Sequence, residues 1–155
     1  MSRREQIRMS KQEVADFLER GRTLSVATIN LDGAPHLVAM WYALLDGKIA
    51  FWTYRKSQKA VNLRRDPRLT CLLESGATYG ELRGVQVHGV ATLIEDAERV
   101  RAIGEVIYRR NASVDSALAP EQLQTIAAQA PKRLVVVVEP TSIVSWDHSK
   151  LGGVR

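Results

Sequence analysis

The sequence predicts a mainly β domain, an antiparallel sheet of about seven short strands curled into a closed or half-closed barrel with three to four peripheral helices. Two observations predict it. Runs of β-branched and apolar residues recur at strand length, each bounded by a turn signal. Two hairpin signals also follow one another, at Asn30-Leu31-Asp32-Gly33 and at Asp46-Gly47. Successive hairpins make a meander and exclude a parallel nucleotide-binding sheet.

Each element has its own local reason. Ser10-Lys11-Gln12-Glu13 is a capping box, and Val14, Phe17 and Leu18 continue at helical spacing until Gly21 stops the helix. Residues 23–29 read as the first strand, residues 36–45 as the second and residues 48–54 as its hairpin partner. Ser57 caps a short helix over residues 58–65, which Asp66-Pro67 ends. Residues 69–74 form a strand, and residues 82–94 form a long one in which Gly84 and Gly89 mark bulges or bends. Asp96 caps a helix carrying Val100, Ile103, Val106 and Ile107. A loop, a weaker helix over residues 121–129 and the breaker Pro131 follow. The run Arg133-Leu-Val-Val-Val-Val138 predicts a strand buried on both faces, and residues 143–146 a last short strand.

The bulk numbers bound the function. A chain of 155 residues with 45% hydrophobic and 25% charged residues fits one soluble domain, expected over residues 9–155 behind a mobile arm of residues 1–8. No apolar run approaches the roughly 20 residues of a membrane helix, and the basic N-terminus lacks the apolar stretch of a secretory signal. The single cysteine, Cys71, lies in an apolar run and reads as packing, which suits a reducing cytoplasm. His36, His88 and His148 are scattered, so no metal site is expected.

The net charge of +5 favours an anionic partner. It is not spread evenly, because Arg55, Lys56, Lys59, Arg64, Arg65 and Arg68 all fall within residues 55–68. There a strand ends in the hydroxyl of Thr53, cations follow, Ser57 opens a helix and Lys59 sits in its first turn. A helix N-terminus offers free amides and partial positive charge, and a lysine there is unfavourable unless an anion is close. The residues by themselves leave two readings open: a phosphate clamp of Thr53, Arg55, Ser57 and Lys59, or a solvated basic loop.

The same stretch, Trp-Thr-x-x-x-Ser-x-Lys-x-x-Asn-Leu-x-x-Asp-Pro, resembles the signature of the pyridoxamine-phosphate-oxidase-like, flavin-binding split-barrel superfamily. Similarity extends to Leu24-Ser-Val-Ala-Thr-Ile29 with Asp32-Gly33-x-Pro35-His36, to Arg83-Gly-Val-Gln-Val-His-Gly89, and to Thr141-Ser-Ile-Val-Ser-Trp146. The resemblance implies a Greek-key split barrel. It also implies a homodimer with two cofactor sites at its interface, and FMN or the deazaflavin coenzyme F420 held non-covalently. The ring would lie against Leu37, Val38, Ala39, Met40, Trp41 and Tyr42. The phosphate would meet Trp52, Thr53, Gln58 and Lys59, and Trp146 would approach from the partner subunit.

The family's B6 oxidases carry arginine and lysine at the ends of the ring-binding strand, where this chain has Leu37 and Tyr42. Their C-terminal arginine beyond the tryptophan is likewise unmatched, so oxidation of vitamin B6 is not the expectation. The Ser-x-Lys-x-x-Asn-Leu-Arg-Arg-Asp-Pro form resembles the F420-dependent branch, and Arg55, Lys56 and Arg83 would suit the anionic tail that FMN lacks. The expectation is therefore an F420-dependent oxidoreductase passing a hydride to a small organic acceptor, with FMN as the alternative cofactor and no side chain required as a catalyst. Trp41 and Trp52 could wall the ring pocket or be ordinary core, and Tyr42 or His36 could supply a proton or be structural. The rivals are a cofactor carrier without turnover and a single-strand nucleic-acid binder using Trp52 and Tyr54.

Overall fold

The computed structural model describes residues 1–112 and 117–152. Residues 113–116, part of the expected loop, and residues 153–155, the end of the expected domain, lie outside the described residues. Seven strands form one sheet: β1 (Thr23–Ile29), β2 (Pro35–Trp41), β3 (Ala43–Leu45), β4 (Lys48–Tyr54), β5 (Arg68–Ser75), β6 (Arg83–Ile94) and β7 (Arg133–Asp147). Their order is β2-β1-β5-β6-β7-β4-β3, and all pairs are antiparallel. The α-helices are α1 (Arg3–Gln6), α2 (Lys11–Arg20), α3 (Gln58–Arg65), α4 (Ala97–Asn111) and α5 (Pro120–Gln129). The expected class, a mainly β half-barrel with peripheral helices, is the fold found, with five α-helices where three to four were expected.

The expected strand over residues 36–45 is in fact two, broken at Tyr42. β2 and β3 flank this single residue yet occupy opposite edges of the sheet. Two peptide steps reach about 7 Å, whereas seven flat strands would span about 29 Å, so the sheet must curl until its edges meet. Tyr42 is wholly buried at that join. Its hydroxyl donates to the Leu18 carbonyl at 2.6 Å, and its own carbonyl accepts from Arg110 and Asn111. Burial pushes its phenol above the usual range.

The barrel interior holds Leu24, Val26, Phe51, Cys71, Val85, Leu134 and Val136, among others. Leu18 of α2 and Leu63 of α3 join that core. Burial raises the Cys71 thiol to about 12, so it stays protonated and acts as packing, as read from the sequence. A second, outer core of Ala50, Ile94, Val100 and Val135 lies beneath α4. The remaining outer face, around Leu37, Ala39 and Trp41 of β2, is uncovered: Leu37 is 69% and Trp41 49% exposed.

Among the other local expectations some hold and some do not. Asp46 and Gly47 have φ of 50° and 77°, the geometry of a tight type I′ hairpin. The two strands expected over residues 133–138 and 143–146 are one continuous β7. Pro140 is accommodated because it faces Gly89 at a bulge, where the ladder is already interrupted. Gly84 marks no bulge. The Trp146 indole lies across it where a Cβ would stand, so only glycine fits.

The segment expected as a mobile arm, residues 1–8, carries the capped turn α1 and is tied to β7. Asp147 N–H donates to the Ile7 carbonyl at 2.7 Å, and Lys150 Nζ donates to the Arg8 carbonyl at 2.9 Å. The end of β7 and the turn after it therefore pack on the chain's own N-terminus. Neither contact is local in sequence.

Asn62 of the motif is structural. It is fully buried, donates to Thr28 Oγ1 (3.0 Å) and Asn30 Oδ1 (2.9 Å), and accepts from Gln58 Nε2 (2.9 Å). It locks α3 onto β1. Asn62→Ala removes these bonds and strands their partners, so a loss of about 2–4 kcal/mol is expected in urea denaturation. A loss within experimental error would show that α3 is held by its apolar side alone.

Candidate functional site

β4 delivers Thr53 to the mouth of the barrel, and the turn to α3 brings Ser57 back beside it. Ser57 caps α3 through its Oγ, as its sequence position requires. The Thr53 and Ser57 hydroxyls are 3.1 Å apart, and Lys59 Nζ donates to Thr53 Oγ1 at 3.0 Å. Thr53 is 3% exposed and Lys59 half-buried. Burial, and secondly the nearby Arg133 guanidinium, lowers the Lys59 pKa.

Arg133 is the residue that sequence reasoning missed. It reads only as the first residue of an apolar strand, and its pairing with Tyr54 makes it part of the site. Its guanidinium lies 4.3 Å from the Trp52 ring centre and 4.0 Å from that of Tyr54, and Nε donates to Gln129 at 3.0 Å. Among the described residues neither Lys59 nor Arg133 makes an ion pair with a carboxylate. Two neighbouring cations, one of them partly desolvated, with no counter-ion and two hydroxyls alongside, have the chemistry that can hold an anion.

The arginines of the basic cluster are occupied. Arg55 donates to the carbonyls of Arg133 and Glu95, and lies 3.7 Å from the Glu95 carboxylate. Arg64 pairs with the same carboxylate at 2.7 Å, and Arg68 pairs with Asp66 at 2.7 Å. Arg65 donates to the Ile29 carbonyl. Gln58 spends its amide on Asn62. Lys56 is exposed and has no ion pair among the described residues.

Beside the cation pair runs a groove of about 530 Å³ lined by Ala39, Met40, Trp41, Trp52, Arg133 and Tyr108, among others. Trp41 and Trp52 are therefore groove walls as well as strand residues, and Trp52 also packs on Gly104 of α4. Leu37 is exposed on the same strand, with Val38 pointing to the other face. Tyr42 does not join them, since its side chain is drawn into the barrel, where it can neither line the groove nor exchange a proton with its contents.

Arg83 and Trp146 are not brought to this site within one chain. They lie at the far end of β6 and β7, where Arg83 pairs with Asp147 at 3.2 Å. From Arg133 to Trp146 the strand runs about 40 Å. No group of three metal-ligating side chains occurs among the described residues, and no helix is long and apolar enough to cross a membrane.

The family model for pyridoxamine 5'-phosphate oxidase matches residues 10–147. A conserved hypothetical protein from Mycobacterium tuberculosis is similar over the whole chain and 95% of its own, at 44% identity and a TM-score of 0.88. An F420 reductase shares the fold at 23% identity, with a TM-score of 0.64 over 83% of this chain and 93% of its own. An FAD-binding protein from Mesorhizobium loti does so at 15% identity, with a TM-score of 0.66 over 88% and 94%. No curated protein matches the chain.

The lowered Lys59 pKa has a thermodynamic sign. The folded state disfavours the ammonium, so Lys59 detracts from stability at neutral pH, and this penalty fades as pH rises through its lowered pKa towards the ordinary lysine value. Lys59→Met is expected to melt higher than the parent at pH 7, with the difference shrinking in alkali. A difference that is independent of pH would remove the electrostatic explanation.

Proposed function

The chain belongs to the pyridoxamine 5'-phosphate oxidase family, and from that premise we propose that it is an oxidoreductase that binds a phosphate-bearing flavin-type cofactor, F420 before FMN. The observation that carries this reading is the uncompensated pair Lys59 and Arg133 beside the Thr53 and Ser57 hydroxyls. These residues fit a phosphate: two cations without a carboxylate, and two hydroxyls able to donate once Lys59 turns to the anion. Thr53, Ser57, Lys59 and Arg133 would hold it, and the groove walled by Trp41 and Trp52 would take the ring. The bound cofactor supplies the hydride chemistry, exchanged with a small organic acceptor. The chain supplies placement and a largely apolar wall, and Arg133, fixed by two rings and Gln129, is pre-positioned.

The choice of F420 rests on fewer cations than the sequence offered. Arg55 and Arg83 are committed to Glu95 and Asp147. Lys56 and Lys132 remain exposed, and the Lys132 carbonyl accepts from Arg55 N–H at 3.0 Å, which sets them at one rim. Such a rim suits an anionic tail. Oxidation of vitamin B6 has no support at Leu37 or Tyr42, one an exposed alkyl group and the other buried. The uncovered face around β2 suits pairing with a second copy, and Trp146 of the partner subunit would then complete the site. Cytoplasmic localisation belongs to the same proposal.

Titration with F420 and FMN side by side tests the reading. Saturable binding is expected, tighter for F420, and Lys59→Ala and Arg133→Gln should each weaken it about tenfold or more. Binding of neither cofactor sinks the proposal, and FMN bound more tightly overturns the F420 choice. Binding without reduction of any quinone or nitro-compound would identify a carrier instead.

A further inference from the structure

A second groove lies apart from the one described above. It has a volume of about 990 Å³ and lies where β7 runs on past the start of β4, between residues 140–145, the N-terminal segment and α2. Its apolar lining comes from Met9, Val14, Ala15, Leu18, Ile143 and Val144. Ile143 is 48% exposed, although its register partner Val87 is core. Ile143 thus leaves apolar surface open within the cleft, continuous with Val14 and Leu18.

The groove is built, not incidental. Ile7, Met9 and Arg8 are fastened to β7 and its tail by Asp147 N–H, the Ser145 hydroxyl (3.1 Å) and Lys150, and Lys150 also pairs with Glu13 at 2.7 Å. This fixes one wall. The charge is one-sided: Arg4, Arg8 and Lys11 line the groove, and no aspartate or glutamate does. None of the three forms an ion pair among the described residues. The site is also separate from the Lys59 cluster, because β4 begins beside Gly47 of this groove and ends at Thr53 and Tyr54, about 20 Å along the strand.

We propose that this groove binds an amphipathic organic acid, with its apolar body against Val14, Leu18 and Ile143 and its acidic head at Arg4, Arg8 and Lys11. The volume lies at the upper end of that of small-molecule sites, enough for a long alkyl chain or a fused-ring body. An apolar floor alone would accept any greasy molecule, so the cationic rim is what selects the acid. The proposal does not depend on the cofactor reading.

Dodecanoate and dodecyltrimethylammonium, which share a tail and differ in head charge, are the probes, used below their micelle concentrations in calorimetric titration of the full chain. Dodecanoate is expected to saturate one site per chain, and the cationic probe to bind at least tenfold more weakly. The variant Arg4→Gln/Arg8→Gln/Lys11→Gln changes only exposed positions and should weaken dodecanoate about tenfold or more. Lys59→Ala should leave dodecanoate binding unchanged while impairing phosphate-cofactor binding, which separates the two sites. Equal affinity for both probes, no saturable binding, or loss in Lys59→Ala would each overturn the proposal. So would an apolar floor hidden by self-association, seen as dodecanoate binding that appears only on dilution.

Discussion

The single residue between β2 and β3 is the constraint on which the rest of the molecule depends. Because Trp41 ends one edge of the sheet and Ala43 begins the other, the chain itself closes the barrel where no ladder of hydrogen bonds does. Tyr42 fixes the join through two helices at once: its hydroxyl holds the end of α2, and its carbonyl holds Arg110 and Asn111 of α4. Arg110 also stacks on its ring at 4.4 Å and caps α2 through the Leu18 and Glu19 carbonyls. The groove beside the cation pair is a product of this closure. Its walls come from β2, from β4 and β7 near the opposite edge, and from α4 and α5. In a flat sheet Trp41 and Trp52 would not share a cavity.

Electrostatics inside that frame is a matter of which cations are already neutralised. Six basic residues lie close in sequence, but Glu95, on a different part of the chain, takes two, Asp66 takes one and a backbone carbonyl takes another. Surface pairs of this kind contribute little to stability. Their effect here is selective, since they remove Arg55, Arg64, Arg65 and Arg68 from competition and leave Lys59 and Arg133 as the adjacent pair without a counter-ion. Arg133 is not solvated in compensation, because two aromatic faces and an amide hold it in place. A cation fixed by rings keeps its charge available in a way that one held by a carboxylate does not.

What was legible in the sequence is what is local. The capping box at Ser10, the cap at Ser57, the Asp46-Gly47 turn and the bulge at Gly89 each depend on a few neighbouring residues, and each is found where expected. The Thr53, Ser57 and Lys59 cluster was legible for the same reason, being one strand end and one helix turn. What escaped depends on register and on distant partners. Nothing near Tyr42 announces that the strand must change edges, and nothing near Arg133 announces Trp52 and Tyr54. The diversion of Arg55 requires Glu95, some forty residues away. The tethering of residues 1–8 requires the other end of the chain. Gly84 was legible as unusual but for the wrong cause: the crowding comes from Trp146, placed opposite it by a ladder the sequence does not display.

The length of β7 ties the remaining features together. It is long enough to take part in both ends of the barrel: Arg133 belongs to the cation pair, and Ser145 and Trp146 belong to the opposite end with the N-terminal segment. In this structure those ends lie about 40 Å apart along the strand, at opposite ends of the barrel. On the proposed reading, a site that includes both the Lys59 cluster and Trp146 is one assembled from two chains. The outer face at β2, where Leu37 and Trp41 are exposed, is a part of the sheet that α4 and α5 do not cover. A cofactor site made from both clusters and a paired sheet face are thus one geometric proposition. In contrast, the groove at residues 140–145 is complete in a single chain, since the wall of its cleft is the chain's own N-terminus.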